Sequence, residues 1–285
     1  MPTWVSAPLI LGAFGLLVWL ERRRPLRHTV EPKLRREARN LAVAAAGAAA
    51  LRVTEKPLAD ALTSLVERRR LGLLKLFRLP AWLEVALAVV LLDYTLYLWH
   101  VLTHRVPFLW RFHVVHHVDL DLDASTALRF HFAELVLSVP WRAAQILLIG
   151  VSPPALSAWQ TFLFLSIMFH HSNVKFPMEI ERRLNAFVVT PRMHGIHHST
   201  VKEETNSNWS SGLTVWDWLH GTLRLDVPQD AIVIGVPAYR DPSEVGLVSM
   251  LALPFGEERP TWRHDGTGPE PARELLPGHT QQLTA

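Results

Sequence analysis

A run of 32 residues without Asp, Glu, Lys or Arg, residues 143–174, most constrains how this chain can fold. Soluble domains rarely contain such a run, whereas a membrane-crossing helix needs about 20 apolar residues. One straight helix of this length would measure about 48 Å, against a hydrocarbon core of about 30 Å. Pro153 and Pro154 lie inside the run, where prolines end a helix. We therefore predict a helical hairpin with arms at residues 132–150 and 155–171.

Three further segments are candidates for membrane helices. Residues 2–20 are uncharged and precede the basic stretch ERRRPLR, a pattern typical of a retained anchor with a cytoplasmic flank rather than of a cleaved signal peptide. Residues 80–104 form a second apolar segment. Residues 40–66 are rich in Ala and Leu but interrupted by charges, so they either cross the membrane, which we favour, or lie at its surface. The expected fold is an all-α integral membrane protein with about four to five transmembrane helices.

The composition excludes several classes of function. The net charge is only +3, and the basic residues flank apolar segments, which indicates membrane-flanking charge and no nucleic-acid partner. The chain has no cysteine, which removes disulfides, thiolate catalysis, cysteine-bound zinc and an iron–sulfur cluster of its own. A metal site would have to use His, Asp and Glu.

Histidines are concentrated in groups. Eleven of the 15 fall into five groups, which are His100/His104, His113/His116/His117, His131, His170/His171 and His194/His197/His198. On a helix, spacings of three and four residues place side chains on one face about 5–6 Å apart, which suits ligands of a shared metal. The remaining histidines stand alone, and we interpret His28, His264 and His279 as surface residues and His220 as structural.

The predicted topology brings these groups to one face of the membrane. The segment 80–104 ends at one group, and the hairpin leaves from and returns to the same side. Lys175, Arg182, Arg183, Arg192 and Lys202 lie there too, so the positive-inside tendency predicts a cytoplasmic metal site. Placement of Arg68, Arg69 and Arg70 on that side would weaken this inference.

About ten imidazoles exceed what one ion can bind, so the pattern predicts two ions in a shared pocket. Imidazole suits iron, zinc, copper or nickel, and the element stays open on ligand type alone. The sequence contains no Glu-x-x-His, which disfavours a ferritin-like carboxylate site, and no His-Glu-x-x-His.

The motifs WHVLTH, RFHVVHH, RFHFAE, FHHSN and TPRMHGIHH, followed by NSNWSSGLTVWDWLHGT, resemble the fatty acid hydroxylase/sterol desaturase superfamily over residues 92–223. The resemblance implies a helical membrane fold with a cytosolic histidine-rich cap that holds two iron ions, for which zinc could substitute in purified protein. It also implies the use of O2 and two electrons to hydroxylate, or in some members desaturate, a lipid. The electrons would come from a separate ferredoxin- or cytochrome-type donor.

Carried over position by position, the resemblance implies a set of metal ligands. They are His100, His104, His113, His116, His117, His131, His171, His194, His197 and His198. Glu134 matches the acid of the family's His-Pro-x-Glu motif, although Phe132 replaces the proline, and His170 is expected to pack rather than bind. Asn206, Trp209 and Ser210 also depart from the family's Asp-x-Asn-Tyr-Gly pattern, so the local shape is not carried over from the family.

Three polar residues are expected to support the ligands. Asp93 lies two helical turns before His100, where a carboxylate needs a partner, either a ligand imidazole or another buried donor. Asn208 and Asp217 are weaker candidates for the same role.

The expected organisation is an N-terminal membrane anchor region at residues 1–79, a membrane-embedded di-iron hydroxylase catalytic domain at 80–254 and a disordered polar tail at 255–285. Three alternatives remain open from the sequence. These are a desaturase with the same site, a non-oxidative metal-binding or metal-transport membrane protein, and a zinc-dependent lipid hydrolase.

Overall fold

The structure is a computed structural model that describes residues 3–262. Within these residues the regular elements are helices, and extended pairing is limited to three isolated bridges, which confirms the all-α prediction. The α-helices are α1 (Thr3–Arg23), α2 (Lys33–Val53), α3 (Glu55–Arg69), α4 (Ala81–Arg105), α5 (Pro107–His117), α6 (Phe132–Ile149), α7 (Pro153–His171), α8 (Met178–Asn185), α9 (Pro191–His197), α10 (Lys202–Thr205), α11 (Val215–Leu219) and α12 (Leu247–Ala252). Short 3-10 helices lie at Leu73–Leu76, Thr126–Leu128, Gln229–Ala231 and Leu253–Phe255.

Three of the described helices are long and apolar enough to cross a membrane, namely Trp4–Arg23, Ala81–Arg105 and Phe132–Ile149. Their outer faces carry large apolar side chains, such as Trp82 and Leu148, each more than 70% exposed. Such faces suit a lipid environment, because water would disfavour them.

The predicted hairpin is present as α6 and α7. Helix α6 ends before Gly150, which has φ 84° and donates its amide to Ile146 O. Ser152 then caps α7 by accepting from Ala155 N. Gly72, between α3 and α4, lies so close to Gly150 that a Cβ on Gly72 would overlap the backbone of Gly150, and a Cβ on Gly150 would overlap Leu71 O. This turn is at the end of the bundle remote from the histidines.

Helices α2 and α3 run almost continuously past the break at Thr54, and both pack along α6. They lead from the histidine end, where α2 contacts the loop after α5, to the hairpin turn. Arg68, Arg69 and Arg70 therefore lie at the end of the bundle opposite to the histidines. Their placement on the histidine side would weaken the predicted topology, and it is not observed.

The core of the bundle is an apolar cluster shared by α3, α4, α6 and α7. It includes Leu92, Ile146 and Trp159, each at most 1% exposed. This packing fixes the helices whose other ends carry the histidines.

Part of the predicted polar tail packs against the protein. The rings of Trp262 and Trp110 lie 5.8 Å apart, and the Trp110 indole donates to Thr261 Oγ1. Thr261 and Trp262 therefore pack against α5, whereas the sequence predicts disorder from residue 255 onwards. The rest of the predicted tail, with His264 and His279, lies outside the described residues.

Candidate metal centre

The metal centre is predicted at the ends of four helices, and the structure brings these ends together. Helices α4, α5, α7 and α9 each carry histidines in their last turns. Pro107 and Pro191 stand in the first turns of α5 and α9, where a missing amide hydrogen costs nothing and the fixed φ favours a helix start. Short helices therefore begin at defined residues and end at the site.

Two groups of four histidines converge here, each with potential ligand atoms within 4.8 Å of one another. The first group is His100, His104, His117 and His197, and the second is His116, His171, His194 and His198. Each His-x-x-His-His motif contributes to both groups, because adjacent histidines on a helix point in different directions. The two groups therefore share their walls, as expected for two ions in one pocket.

In the second group the Nε2 atoms face one another. The Nε2 atom of His171 lies 3.0 Å from those of His116 and His194, and the Nε2 atoms of His194 and His198 are 3.1 Å apart. Two nitrogens about 2.1 Å from one metal ion are separated by roughly 3.0 Å at right angles and about 3.4 Å in a tetrahedron. The observed spacing suits a single ion.

The first group contains buried nitrogens without partners among residues 3–262. They include Nε2 of His104 and His197 and both ring nitrogens of His117. Buried polar atoms in native proteins are nearly always paired, so these atoms fit metal binding. Nε2 of His113 is also buried and unpartnered, and its ring centroid lies 4.9 Å from that of His104. His113 is therefore a candidate fifth ligand of this group.

Hydrogen bonds at Nδ1 orient four of the rings. His100 contacts Trp209 O at 2.7 Å, His171 contacts Ile167 O at 2.8 Å, His197 contacts Ser207 O at 2.8 Å and His113 contacts Glu134 Oε1 at 2.7 Å. Each acceptor requires the proton on Nδ1, which leaves the Nε2 lone pair for a metal. Glu134 was predicted from its motif, whereas the three carbonyls are backbone atoms that leave no signal in residue identity.

Burial keeps the histidines neutral. Desolvation, together with neighbouring imidazoles, lowers the pKa values of His116, His117, His194 and His198 well below the usual range. Burial lowers the pKa of His197 to about 3. At cellular pH these rings are neutral, and metal binding requires neutral imidazoles.

His131 does not join either group. Its Nδ1 accepts from Ala133 N at 3.1 Å and caps α6, while its Nε2 lies 3.3 Å from Leu251 O. Both ring nitrogens are therefore engaged, and the neighbouring rings belong to Phe112, Phe132 and Phe255. The structure therefore places His131 outside both groups and gives it a helix-capping role, while its expected metal binding stays a prediction.

Two other histidines lie near the groups without belonging to them. The His170 ring packs 4.0 Å from the ring of His194, in keeping with the expected packing role. His220 stacks on Tyr97 at 5.0 Å, away from both groups.

Asp93, Asn208 and Asp217 contact no ligand ring directly. Asp93 accepts from Leu213 N at 3.0 Å and from Trp216 Nε1 at 2.7 Å, so its partner is the second of the two alternatives, another buried donor. It ties α11 to the middle of α4.

Asp217 and Asn208 act through the backbone. Asp217 accepts from Trp209 N at 2.9 Å, and the Trp209 carbonyl in turn orients His100. Asn208 has φ 53° and donates to Met193 O at 3.0 Å, next to His194. Both residues therefore contact backbone atoms next to the two histidine groups.

A third cluster of candidate ligand atoms is formed by Glu21, Glu37 and Asp123. The Lys33 ammonium lies 2.7 Å from Glu21 and 3.4 Å from Asp123, and it also approaches Glu37 at 3.7 Å. These charges compensate the carboxylates, so the cluster is an ion-pair network.

A cavity of about 140 Å³ reaches the first histidine group from outside. It is lined by His104, Arg105, Trp110, Lys202, Asn206 and Trp262. Arg105 lies over the Trp209 ring at 5.3 Å. The entrance is therefore cationic, with aromatic rings beside His104.

Comparison with known proteins agrees with this geometry. The fatty acid hydroxylase family profile matches residues 85–222, which contain every histidine of both groups. The region that carries both histidine groups, residues 85–222, belongs to the fatty acid hydroxylase superfamily. No solved structure matches this chain.

Three curated relatives share 27–29% of aligned residues with this chain. Ornithine lipid hydroxylase of Rhizobium tropici is 29% identical over 63% of this chain and 52% of its own length. Human alkylglycerol monooxygenase is 27% identical over 57% and 35%, and mouse cholesterol 25-hydroxylase is 28% identical over 50% and 47%. The chain thus spans about a third to a half of the length of these relatives.

Proposed function

We propose that the protein is an O2-dependent membrane oxygenase that hydroxylates a C–H bond of a lipid at two iron ions. The observation that carries the proposal is the pair of four-histidine groups, with nitrogens that converge inside a hydroxylase-family region. The net reaction converts R–H, O2, two electrons and two protons into R–OH and water. Bound iron would supply the oxygen activation, and the chain supplies neutral imidazoles, their orientation and a dry pocket.

The proposed ligands are the two groups together with His113. His113 is included because its Nε2 is free and buried, and His131 is omitted because both of its ring nitrogens are engaged. Asp217, Asn208 and Asp93 are proposed as supporting residues that hold backbone segments around the ligands. All donors are nitrogens, so zinc could occupy the same site in purified protein.

We propose a multi-pass arrangement with the histidine end on the cytoplasmic side. Helix α1, the α2–α3 rod, α4, α6 and α7 would make five crossings. The basic residues at the histidine end support this orientation, and they include Lys175, Arg182, Arg183 and Lys202. We retain residues 80–254 as the catalytic domain, with residues 1–79 packed against it.

Electrons are proposed to come from a separate ferredoxin- or cytochrome-type protein. The chain contains no cysteine for an iron–sulfur centre of its own. The cationic cavity beside His104 supports docking of an acidic donor there, because opposite charges steer association.

The three relatives favour hydroxylation over desaturation, since they are a lipid hydroxylase, a monooxygenase and a sterol hydroxylase. The substrate would accordingly be a membrane lipid, such as a fatty acyl lipid, an ether lipid or a sterol-like molecule. Clustering of the histidines at one end of the bundle disfavours a transport path, along which ligands would be spread across the spans.

The test combines metal analysis with product analysis. Protein purified under iron-replete conditions should hold two metals per chain and should insert one atom of 18O2 into a lipid of the host membrane, detected by mass spectrometry. His116→Ala and His197→Ala should each abolish this incorporation. Fewer than one metal per chain, or full activity in both variants, would contradict the proposal. Loss of two hydrogens without 18O would identify a desaturase, and product formation without O2 a hydrolase.

A further inference from the structure

Two arginines from the N-terminal region lie directly behind the two His-x-x-His-His motifs. The sequence predicts that the basic residues after α1 flank the membrane, and several of them are indeed exposed. Arg27 and Arg36 are different, because their guanidinium groups reach into the protein. Both residues precede the region that the family profile matches.

Arg27 is bonded to α9 and to the end of α7. Its guanidinium Nη2 donates to Pro191 O at 2.8 Å and to Gln229 Oε1 at 2.6 Å. Its backbone exchanges hydrogen bonds with the side chain of Asn173, at 2.8 and 2.9 Å. Asn173 follows His171 by two residues, and Pro191 begins the helix that carries His194.

The guanidinium of Arg27 occupies the space that a side chain at position 195 would need. A Cβ built on Gly195 would overlap Nη2 and approach the carbon of the guanidinium. Gly195 lies between His194 and His197 in PRMHGIHH. The glycine in the motif therefore allows close contact with Arg27.

Arg36 acts on α5 through a chain of buried ion pairs. Its Nη1 donates to Asp119 Oδ2 at 2.9 Å, and its Nη2 pairs with Asp123. Asp119 Oδ1 lies 3.2 Å from Arg129 Nη1, and Arg129 Nε donates to Val115 O at 3.0 Å. Val115 lies between His113 and His116. Arg36, Asp119 and Arg129 have fully buried side chains, so water does not screen this chain of contacts.

We propose that Arg27 and Arg36 are positioning residues of the metal centre, each of which holds the helix of one His-x-x-His-His motif. The inference rests on the proposed metal-binding function and extends the site into the N-terminal region. Arg27 acts on His171 and on α9 with its C-cap residue His198, which together supply three of the four members of the second group. Arg36 acts on α5, which supplies one ligand to each group.

The test uses substitutions that keep the charge but remove the forked geometry. Lysine ends in a single ammonium on a shorter side chain, so it cannot pair with Asp119 and Asp123 through two separate nitrogens as Arg36 does, and it does not extend as far as Nη2 of Arg27. The full chain in detergent, with Arg27→Lys or Arg36→Lys, is compared with the matched controls Arg24→Lys and Arg35→Lys at exposed neighbouring positions. The measurements are metal per chain, the rate of metal removal by a chelator, and the absorption spectrum of the cobalt(II)-loaded protein.

Both test variants should lose metal about 10–100-fold faster than the wild type and show altered cobalt spectra, because the ligand geometry is loosened. The controls should match the wild type. Wild-type release rates and spectra in both test variants would overturn the proposal, as would a lowered melting temperature of the metal-free variants without any change in metal release.

A milder variant covers the case in which Arg27→Lys does not fold. Gln229→Leu removes one acceptor of Arg27 together with the hydrogen bond that Gln229 Nε2 donates to Arg192 O, and it leaves the guanidinium in place. Gln229→Glu, which keeps the acceptor and loses only that donor, is the control. Faster metal release than in the wild type supports the proposal, and an unchanged rate contradicts it. A wild-type protein that holds no metal would instead contradict the proposed function, so the two failures are distinguishable.

Discussion

At the scale of single residues, His131 and Glu134 belong to one sequence motif but have two different roles in the structure. The family motif implies that the histidine binds metal and that the acid assists it. In the structure the histidine caps α6, and the acid holds the ring of His113. The motif is therefore connected to the site through its acid.

Replacing His131 with Asn should leave the metal content at two per chain, because Asn also caps a helix and the metal would lose no ligand. His116→Ala should reduce the metal content, because it removes a ligand of the second group. Elemental analysis of both purified variants provides the measurement. Loss of one metal from the Asn variant would show that His131 is a ligand.

Replacing Glu134 with Ala should weaken metal affinity about 10–100-fold, because the proton on His113 Nδ1 loses its acceptor. Glu134→Gln keeps a carbonyl acceptor and should fall between Ala and the wild type. Competition with a chelator of known affinity measures the difference. Equal affinity in all three proteins would exclude a role for Glu134 in holding the ligand.

At the scale of elements, the helices could be predicted from local sequence signals, whereas the buried contacts between helices and loops depend on residues far apart in the chain. Uncharged runs and paired prolines are local, so the hairpin arms were predicted within two residues at each end. The burial of Arg36 depends on Asp119, 83 residues away, and nothing in ERRRPLR or its surroundings signals that contact. The run DLDLD after the first histidine motif is the one available sign that a buried cation lies nearby.

Asp93 should stabilise the fold by tying α11 to α4. Asp93→Ala leaves Leu213 N and Trp216 Nε1 without their acceptor, and we expect a loss of about 1–3 kcal/mol. Thermal unfolding in detergent tests this, with Leu87→Ala on the exposed face of α4 as the control. Metal content below the transition should stay unchanged. A melting temperature equal to that of the control would contradict the prediction.

At the scale of the whole molecule, the buried histidines make the stability of the metal-free protein depend on pH. Burial depresses their folded-state pKa values, to about 3 for His197, below the ordinary value of 6.5. Above pH 6.5 the folded and unfolded states bind equal numbers of protons at these rings. As the pH falls from 6.5 towards 3, the unfolded state binds more protons and gains stability.

Metal-free protein should therefore melt at a lower temperature at pH 5 than at pH 7.5. Differential scanning fluorimetry in the presence of a chelator measures the shift. The matched comparison is His28→Gln, which changes an exposed histidine and should retain the same shift. A melting temperature that does not change between the two pH values would contradict the prediction.

The cationic cavity predicts which surface charges affect electron transfer from the donor protein to the metal centre. The double variant Arg105→Glu, Lys202→Glu should lower kcat/KM for an acidic protein donor by about 10-fold or more at low salt. Turnover driven by dithionite should stay near the wild-type rate. Arg183→Glu, at a side chain 83% exposed on α8, is the control. Equal sensitivity of the control would place the docking surface elsewhere.

The contact between Arg27 and Gly195 also affects how tolerance to mutation should be interpreted. Any side chain at position 195 would displace the guanidinium of Arg27, although glycine offers a metal no donor side chain. Alanine at 195 should therefore be tolerated better when a smaller side chain replaces Arg27. Among natural variants the two positions should therefore change together, 168 residues apart in the chain.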